Sequence, residues 1–444
     1  MARKSPDTKS SAWVVTVDMG LGHQRATYPL GHIAEGPIIT VGKDSSSYPD
    51  EKKLWNRLQK SYNWISRIRS VPIVGKPIFG MLDTLQSIPP FYPMTDKSRP
   101  TFQVRLLKRS IKRGLCRGLI DHTASSDLPI ITSHPFPALA ADHAGRDNVY
   151  LIVCDAEISR AWVAEHPHES KVVYLAPCTR SVLRLQAYGV PLDRIHLTGF
   201  PFPHEILGDR SLDILREDLA DRLHHLDPTD RFKPLHGHGV REFLGRRTSK
   251  QKTERPLAIT YAVGGAGAQR EFGGDIAESI AERIRSGTVR LNLVAGVRKD
   301  VLDYFTQVKS SVAPDSDNIR IVYRDNKEDY FRAFSETIRE TDILWTKPSE
   351  LSFYASLGIP IIMSPTIGAQ EEFNRKWLME IQAGIDQEDP KYTNQWLFDL
   401  LGAGRLAESA WDGFLKGRKL GTFKVEDMLA GIPIQTDDSS PLTR

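Results

Sequence analysis

The chain has 444 residues, 26% of them charged and 40% hydrophobic, with a net charge of only +4. That length exceeds one ordinary core, so two domains are expected. Three widely spaced cysteines, Cys116, Cys154 and Cys178, argue against a disulfide framework. No run reaches the roughly 18 apolar residues of a spanning helix, and the polar start Met-Ala-Arg-Lys-Ser-Pro-Asp has no signal-peptide core. A cytoplasmic location is expected.

The charge is unevenly spread. Residues 1–130 hold 20 Lys/Arg against 10 Asp/Glu, and within 52–117 there are 15 basic residues and two acidic ones, Asp83 and Asp96. Such asymmetry points to an anionic partner for the N-terminal half.

In chain order, residues 12–19 read as a buried strand, 23–34 as a helix and Pro37 to Val41 as a second strand. Strands recur at 128–133, 149–154, 171–176 and 195–199, with helical patterns between most of them. Residues 204–255 break this rhythm: Leu212 to Leu226 looks helical, then come His236-Gly-His-Gly and a polar run. Alternation restarts at 256–263 and continues with strands near 289–295, 319–323, 342–345 and 359–363; the last helices run to about 417. Alternating strands and helices predict parallel sheets. The expected domains are 1–205 and 256–418, joined by a linker or insert at 206–255, with a tail at 419–444 that is disordered from 433.

Three loops carry chemistry. The first, Asp18-Met-Gly-Leu-Gly-His-Gln-Arg-Ala26, follows the first strand. Gly20 and Gly22 let backbone approach a ligand or phosphate. His23 is either a surface histidine on a tight turn or a general base or electrostatic stabiliser. The second loop, Val263-Gly-Gly-Ala-Gly-Ala-Gln-Arg270, places Gly264, Gly265 and Gly267 before a helix, where free N–H groups cradle a diphosphate. It lacks the Gly-Lys-Ser/Thr ending of a P-loop and the spacing of a dinucleotide fingerprint. The third runs from Thr346-Lys-Pro-Ser-Glu through Gly358-Ile-Pro to Gly368-Ala-Gln-Glu-Glu-Phe-Asn374. Glu350 opens a short helix, either as a cap or as a ligand for ribose hydroxyls. Gln370 and Glu371 read as ligands for sugar hydroxyls. Phosphate at one end and hydroxyls at the other suggest a nucleotide-sugar.

Five patterns recur in order: Gly20 to His23; Thr132-Ser-His-Pro-Phe-Pro137; the run from Cys154-Asp155 through Tyr174-Leu-Ala-Pro177 to Gly199-Phe-Pro201; Gly264 to Gly267; and Gly358 to Asn374. Together, over nearly the whole chain, they resemble the GT-B glycosyltransferases. The resemblance is to the branch holding the MurG-like N-acetylglucosaminyltransferases and the monogalactosyl- and processive diacylglycerol glycosyltransferases. It implies two Rossmann-like α/β domains facing across a cleft, the donor on the C-terminal one and the acceptor on the N-terminal one. It implies inverting, metal-independent transfer of a hexose from a UDP-sugar, a co-substrate rather than a cofactor, to a lipid or other amphiphilic acceptor. His23 is then the first candidate for the base, with His134 and Asp155 as runners-up, and Arg298 is either a surface arginine or a contact to the donor's base or phosphate. Two features depart from the family. Its glutamate five residues before the Gly of Gly-x-Pro is Phe353 here, with Glu350 as the available substitute, and the first loop lacks an extra glycine.

The basic segment has apolar residues at helical spacing, Leu54, Leu58, Tyr62, Ile65 and Ile68, then Val104, Leu107, Ile111, Leu115 and Leu119. Either these faces pack on the domain core, or 52–117 lies on an anionic membrane surface, as the resemblance implies for a protein peripheral on the inner face. No nucleic-acid motif is recognised. His166-Pro-His168 and His236-Gly-His238 lack further ligands at metal-site spacing, and Asp315-Ser-Asp317, which looks like the metal motif of the other glycosyltransferase fold, lies in a Pro-led turn whose chemistry explains it better. Two rivals remain: an epimerase of the same fold, which would need no acceptor, and a non-catalytic GT-B protein that binds a membrane or partner.

Overall fold

The structure is a computed structural model that describes residues 11–42, 48–56, 88–245, 255–264 and 267–444. The chain forms two compact units, Met1–Phe202 with Leu420–Thr436, and Pro203–Lys419 with Asp437–Arg444. Each is built on six parallel strands, so the chain has two Rossmann-like domains.

In unit 1 the strands are β1 (Trp13–Val17), β2 (Ile39–Val41), β3 (Ile130–Thr132), β4 (Val149–Ile152), β5 (Val173–Ala176) and β6 (Ile195–Leu197). Their order is β2-β1-β3-β4-β5-β6. They are short and nearly all apolar, as strands covered on both faces must be. The order reverses between β1 and β3, where Val15 pairs with Thr132. The loops after these two strands therefore leave the same edge side by side. Three helices matter below: α1 (Leu21–Thr27), α2 (Phe102–Lys112) and α3 (Pro135–His143).

The expected single helix at 23–34 is α1 followed by a 3-10 turn, Tyr28–Ile33. Pro29 has no N–H to continue the α ladder, and the tighter turn takes over. The helix Gly421–Leu429, unread in the sequence, returns to unit 1. A Cβ on Gly421 would lie 2.5 Å from the Phe200 carbonyl carbon, so backbones touch there. Thr422 Oγ1 donates to the Phe202 carbonyl at 2.6 Å, and His32 Nε2 lies 2.9 Å from Glu426 Oε1.

In unit 2 the strands are β7 (Leu257–Ala262), β8 (Val289–Gly296), β9 (Ile319–Tyr323), β10 (Ile343–Thr346), β11 (Ile361–Met363) and β12 (Gly384–Asp386). Their order is β12-β11-β10-β7-β8-β9, reversing between β7 and β10. Thr346 pairs with Ala262 at the end of that junction and donates its Oγ1 hydrogen to the Ala262 carbonyl at 3.1 Å. β12 was not foreseen: three residues are too few for a period to show.

The region expected as a linker at 206–255 is part of unit 2 up to the last described residue before 255. It carries α4 (Asp213–Leu226) and α5 (Lys233–Leu244). Two buried polar side chains secure them. Arg222 donates to the carbonyls of Thr341 at 2.7 Å, Leu357 at 3.1 Å and Gly358 at 3.3 Å. Asp227 accepts from the backbone N–H groups of Arg231, Phe232 and Lys233 at 2.7–3.0 Å, fixing the start of α5. The expected disordered tail is also ordered. Buried Lys419 donates from Nζ to the carbonyls of Phe414 at 2.9 Å, Gly417 at 3.1 Å and Pro441 at 2.7 Å, and its N–H reaches the Arg444 carbonyl.

Candidate functional site

In open parallel sheets, ligands sit beyond the carboxyl ends of the strands where the strand order reverses. Each unit places its sequence motifs there. In unit 1 the loop after β1 gives Gly20, Gly22 and His23, and the loop after β3 gives Ser133 and His134. Gly20 begins α1 at φ 102°, a conformation that favours glycine. Gly22 lies inside the first turn of α1.

His23 and His134 are brought together, their ring centroids 4.6 Å apart and near-perpendicular. His23 Nδ1 lies 2.7 Å from the Ser133 carbonyl oxygen, and Ser133 Oγ donates back to the His23 carbonyl, also at 2.7 Å. A carbonyl only accepts, so Nδ1 carries a proton. Cys154 Sγ lies 3.4 Å from the same Nδ1, and Trp162 lies beyond, its ring centroid 6.0 Å away. His134 caps α3 ahead of Pro135, its Nδ1 accepting from the Phe136 N–H at 3.2 Å. Burial, with His23 beside it, pushes its pKa well below the usual imidazole value. Asp155 follows Cys154 in the loop after β4, half-buried.

In unit 2 the loop after β7 meets the loop after β10. A Cβ on Gly264 would lie 2.7 Å from Lys347 Cε and 3.3 Å from its Nζ. A Cβ on Gly267 would lie 2.7 Å from Arg298 Nε. The glycine loop is thus flanked by two cations, one against each described glycine of the motif; Gly265 lies outside the described residues. Gly267 has φ 73°, which favours glycine.

Lys347 is a residue the sequence reading passed over. Its Nζ lies 2.6 Å from Glu371 Oε1, both side chains about 15% exposed. Glu371 Oε2 accepts from the Ile367 N–H at 2.6 Å and the Gly368 N–H at 3.4 Å, at the start of α6 (Ala369–Glu380). This carboxylate, expected to take sugar hydroxyls, has both oxygens engaged within the protein. Gln370, next to it in the first turn of α6, is half-buried. Asn374, fully buried, donates to the Pro348 carbonyl at 3.2 Å and so ties α6 to the loop carrying Lys347.

Arg298 makes two hydrogen bonds to Asp300, at 3.1 and 3.0 Å. Glu350 opens the 3-10 helix Glu350–Leu357, half-buried. With three residues per turn it lies one turn before Phe353 on the same side. Phe353 is 1% exposed and packs on Trp377 at 4.9 Å between ring centroids, a core position rather than a ligand-facing one.

Two Rossmann-like units, each with polar groups at its switch point, present two candidate sites. Residues 238–424, less than half of the chain, match a family model described as Domain of unknown function (DUF6938). No curated protein matches the sequence. Among solved structures the chain is similar to the S. aureus MnaA–UDP co-structure, at 10% identity and TM-score 0.46, covering 96% of this chain and 98% of that one. It is similar to UDP-GlcNAc 2-epimerase from Neisseria meningitidis bound to UDP-GlcNAc, at 11% identity and TM-score 0.45, covering 94% and 97%. It is also similar to Acinetobacter baumannii MurG, at 14% identity and TM-score 0.45, covering 94% and 99%. At such identities and TM-scores no residue role passes from those proteins to this chain.

Proposed function

We infer that the chain is a glycosyltransferase of the MurG and diacylglycerol-glycosyltransferase type, moving a hexose from a UDP-sugar to a lipid or other amphiphilic acceptor with inversion. The observation that carries this reading is the glycine loop of unit 2 with Lys347 and Arg298 against it, at the reversal of the sheet. Backbone N–H groups and two cations suit a diphosphate leaving group. Glu350 is assigned to the ribose hydroxyls and Gln370 to a sugar hydroxyl.

The acceptor is assigned to unit 1, with His23 as base. Its hydroxyl gives a proton to His23 Nε2 as the oxygen bonds to the anomeric carbon. The bond from that carbon to the diphosphate breaks, and its electron pair leaves on UDP, where Lys347 and Arg298 meet the added charge.

Membrane contact is assigned to the outer face of α2. Phe102 and Leu106 are exposed there with Arg105, Arg109 and Lys112 beside them. Aromatic and aliphatic residues among cations suit an anionic lipid surface. No helix of the described residues is long and apolar enough to cross a membrane.

Thermal melting with UDP, GDP, UDP-glucose, UDP-galactose and UDP-N-acetylglucosamine, with ADP as control, tests the donor site. Ligand at about 100 times its dissociation constant adds about 2.7 kcal/mol. Labelled sugar from the stabilising donor then appears in anionic vesicles carrying acceptor lipid. If no UDP compound raises the melting temperature the reading fails, and conversion of the sugar without acceptor selects the epimerase.

A further inference from the structure

The two cations that flank the glycine loop of unit 2 come already paired. Lys347 Nζ, which a Cβ on Gly264 would meet at 3.3 Å, lies 2.6 Å from Glu371 Oε1. Arg298, against Gly267, makes its two hydrogen bonds to Asp300, and that contact holds the Asp300 carboxyl below its usual range. A third cation, Arg270, opens the helix Arg270–Ser279 after the loop and lies 3.3 Å from both Asp300 and Glu271. Lys347, Arg298 and Arg270 thus stand against Glu371, Asp300 and Glu271, three charges of each sign.

Glu371 differs from the other two carboxylates. Asp300 is 52% exposed and Glu271 66%, so water screens them, whereas Glu371 is 16% exposed. It is also fixed by the Ile367 and Gly368 N–H groups. A fixed carboxylate in a low-dielectric setting repels added negative charge more strongly than a solvated one.

Transfer changes the charge that a donor site holds. In the donor the outer phosphoryl is an ester with one ionisable oxygen. Once the hexose has left, it is a free phosphate whose second ionisation lies near pH ~6. The product then carries one more negative charge. Surplus positive charge in the site would retain it, and release of product sets the turnover of many enzymes.

We propose that Glu371 is a specificity-determining counter-charge: it cancels Lys347, so that the site holds a nucleoside diphosphate ester in preference to the free nucleoside diphosphate. This rests on the donor reading above. Lys347 still donates to phosphate oxygens, but the pair offers direction without net charge. Glu371 acts through its charge and needs no contact with the sugar.

UDP and its β-phosphate methyl ester differ by one negative charge at about pH 8, and neither carries a sugar. Calorimetric titration of the full chain gives the ratio of their affinities. The ratio is the readout, because a displaced Lys347 weakens both ligands together, whereas a lost carboxylate separates them. The wild type should bind the ester at least as tightly as UDP. Glu371→Gln keeps the shape of the side chain and an acceptor for the Ile367 N–H, and should shift the ratio about tenfold towards UDP. Glu371→Ala should shift it likewise, while Glu371→Asp keeps the charge and the wild-type ratio. Glu372, the neighbouring carboxylate, is 40% exposed and pairs with Arg375 and Lys376, so Glu372→Gln should also leave the ratio in place. A wild type that favours UDP overturns the proposal, as does an unmoved ratio in Glu371→Gln and Glu371→Ala, or the same shift in Glu371→Asp or Glu372→Gln. If the wild type binds neither ligand, the donor reading fails and the proposal with it; binding with an unmoved ratio sinks the proposal alone.

Discussion

Lys347 is half of the cationic pair only because Gly264 has no side chain. A methyl group at 264 would press on Lys347 Cε at 2.7 Å, a flexible chain that can move away. Gly264→Ala should therefore melt within about 1 kcal/mol of the wild type and bind UDP at least about tenfold more weakly. Lys347→Met removes the charge itself. A charge-assisted bond contributes about 1.5–3 kcal/mol, so UDP affinity should fall roughly 10- to 150-fold in a calorimetric titration. Wild-type affinity in both variants would remove Lys347 from the site. Phe353→Glu restores the family's glutamate in sequence but sets a carboxylate against Trp377 at a 1% exposed position. It should lower stability by about 3–5 kcal/mol and restore no binding. His134 adds a pH effect. Its folded pKa lies below the unfolded one, so the unfolded chain takes the proton first as pH falls. Stability should drop as pH falls through about 6.5, by at most about 1.4 kcal/mol per unit, and His134→Asn should lose that part of the slope. At this scale the sequence shows the glycines and histidines, because few residue types fit strand–helix turns. It hides Lys347, a common surface residue whose meaning comes from the pairing of β10 with β7. It also hides what engages Glu371, since nothing in its spacing announces that Lys347 will reach it.

Elements were legible where periods are long. Eleven of the twelve strands overlap the expected spans, since β1, β7, β8 and their neighbours are apolar runs bounded by turns. α4 was legible as the helical run 212–226, but α5 and the place of both in unit 2 were not, because the anchors are polar. Arg222 and Asp227 are charged residues, yet between them they engage seven backbone groups inside unit 2. The tail was misread for the same reason, as its order depends on one buried lysine. Lys419→Met keeps the volume of the stem and leaves three carbonyls without their donor. It should destabilise the chain by about 3 kcal/mol. Removing 437–444 takes away Pro441 and Arg444, two of the acceptors around Lys419. The two changes should then be clearly less than additive in a double-mutant cycle on denaturant midpoints, since they act on shared contacts. Additive effects would mean that the tail is held elsewhere.

For the molecule as a whole, the basic N-terminal half offered two readings, a packed face or a membrane face, and the described residues divide them. Trp55, Val104, Leu107, Leu115 and Leu119 are buried, so these apolar positions serve the core of unit 1. Residues 57–87 lie outside the described set. The outer face of α2 is another matter. Phe102 is 62% exposed and Leu106 48%, one turn apart, with Arg105, Arg109 and Lys112 around them. Core packing does not account for two large apolar side chains left in water among cations. The proposed lipid interface would: the Phe102 ring and the Leu106 side chain would enter the headgroup boundary, and each cation would add about 1 kcal/mol near an anionic leaflet. The chain should therefore sediment with vesicles containing phosphatidylserine, weakly with neutral ones, and less as salt rises past the Debye screening range. Phe102→Ser with Leu106→Ser should weaken binding to anionic vesicles more than tenfold at a fixed salt concentration, since each buried side chain is worth roughly 1.5–3 kcal/mol. Arg105→Glu with Arg109→Glu should instead flatten the salt dependence. The UDP-induced melting shift should be unchanged in both pairs, since α2 belongs to unit 1 and the donor site to unit 2. Vesicle binding that ignores both substitutions would move the membrane contact off this helix.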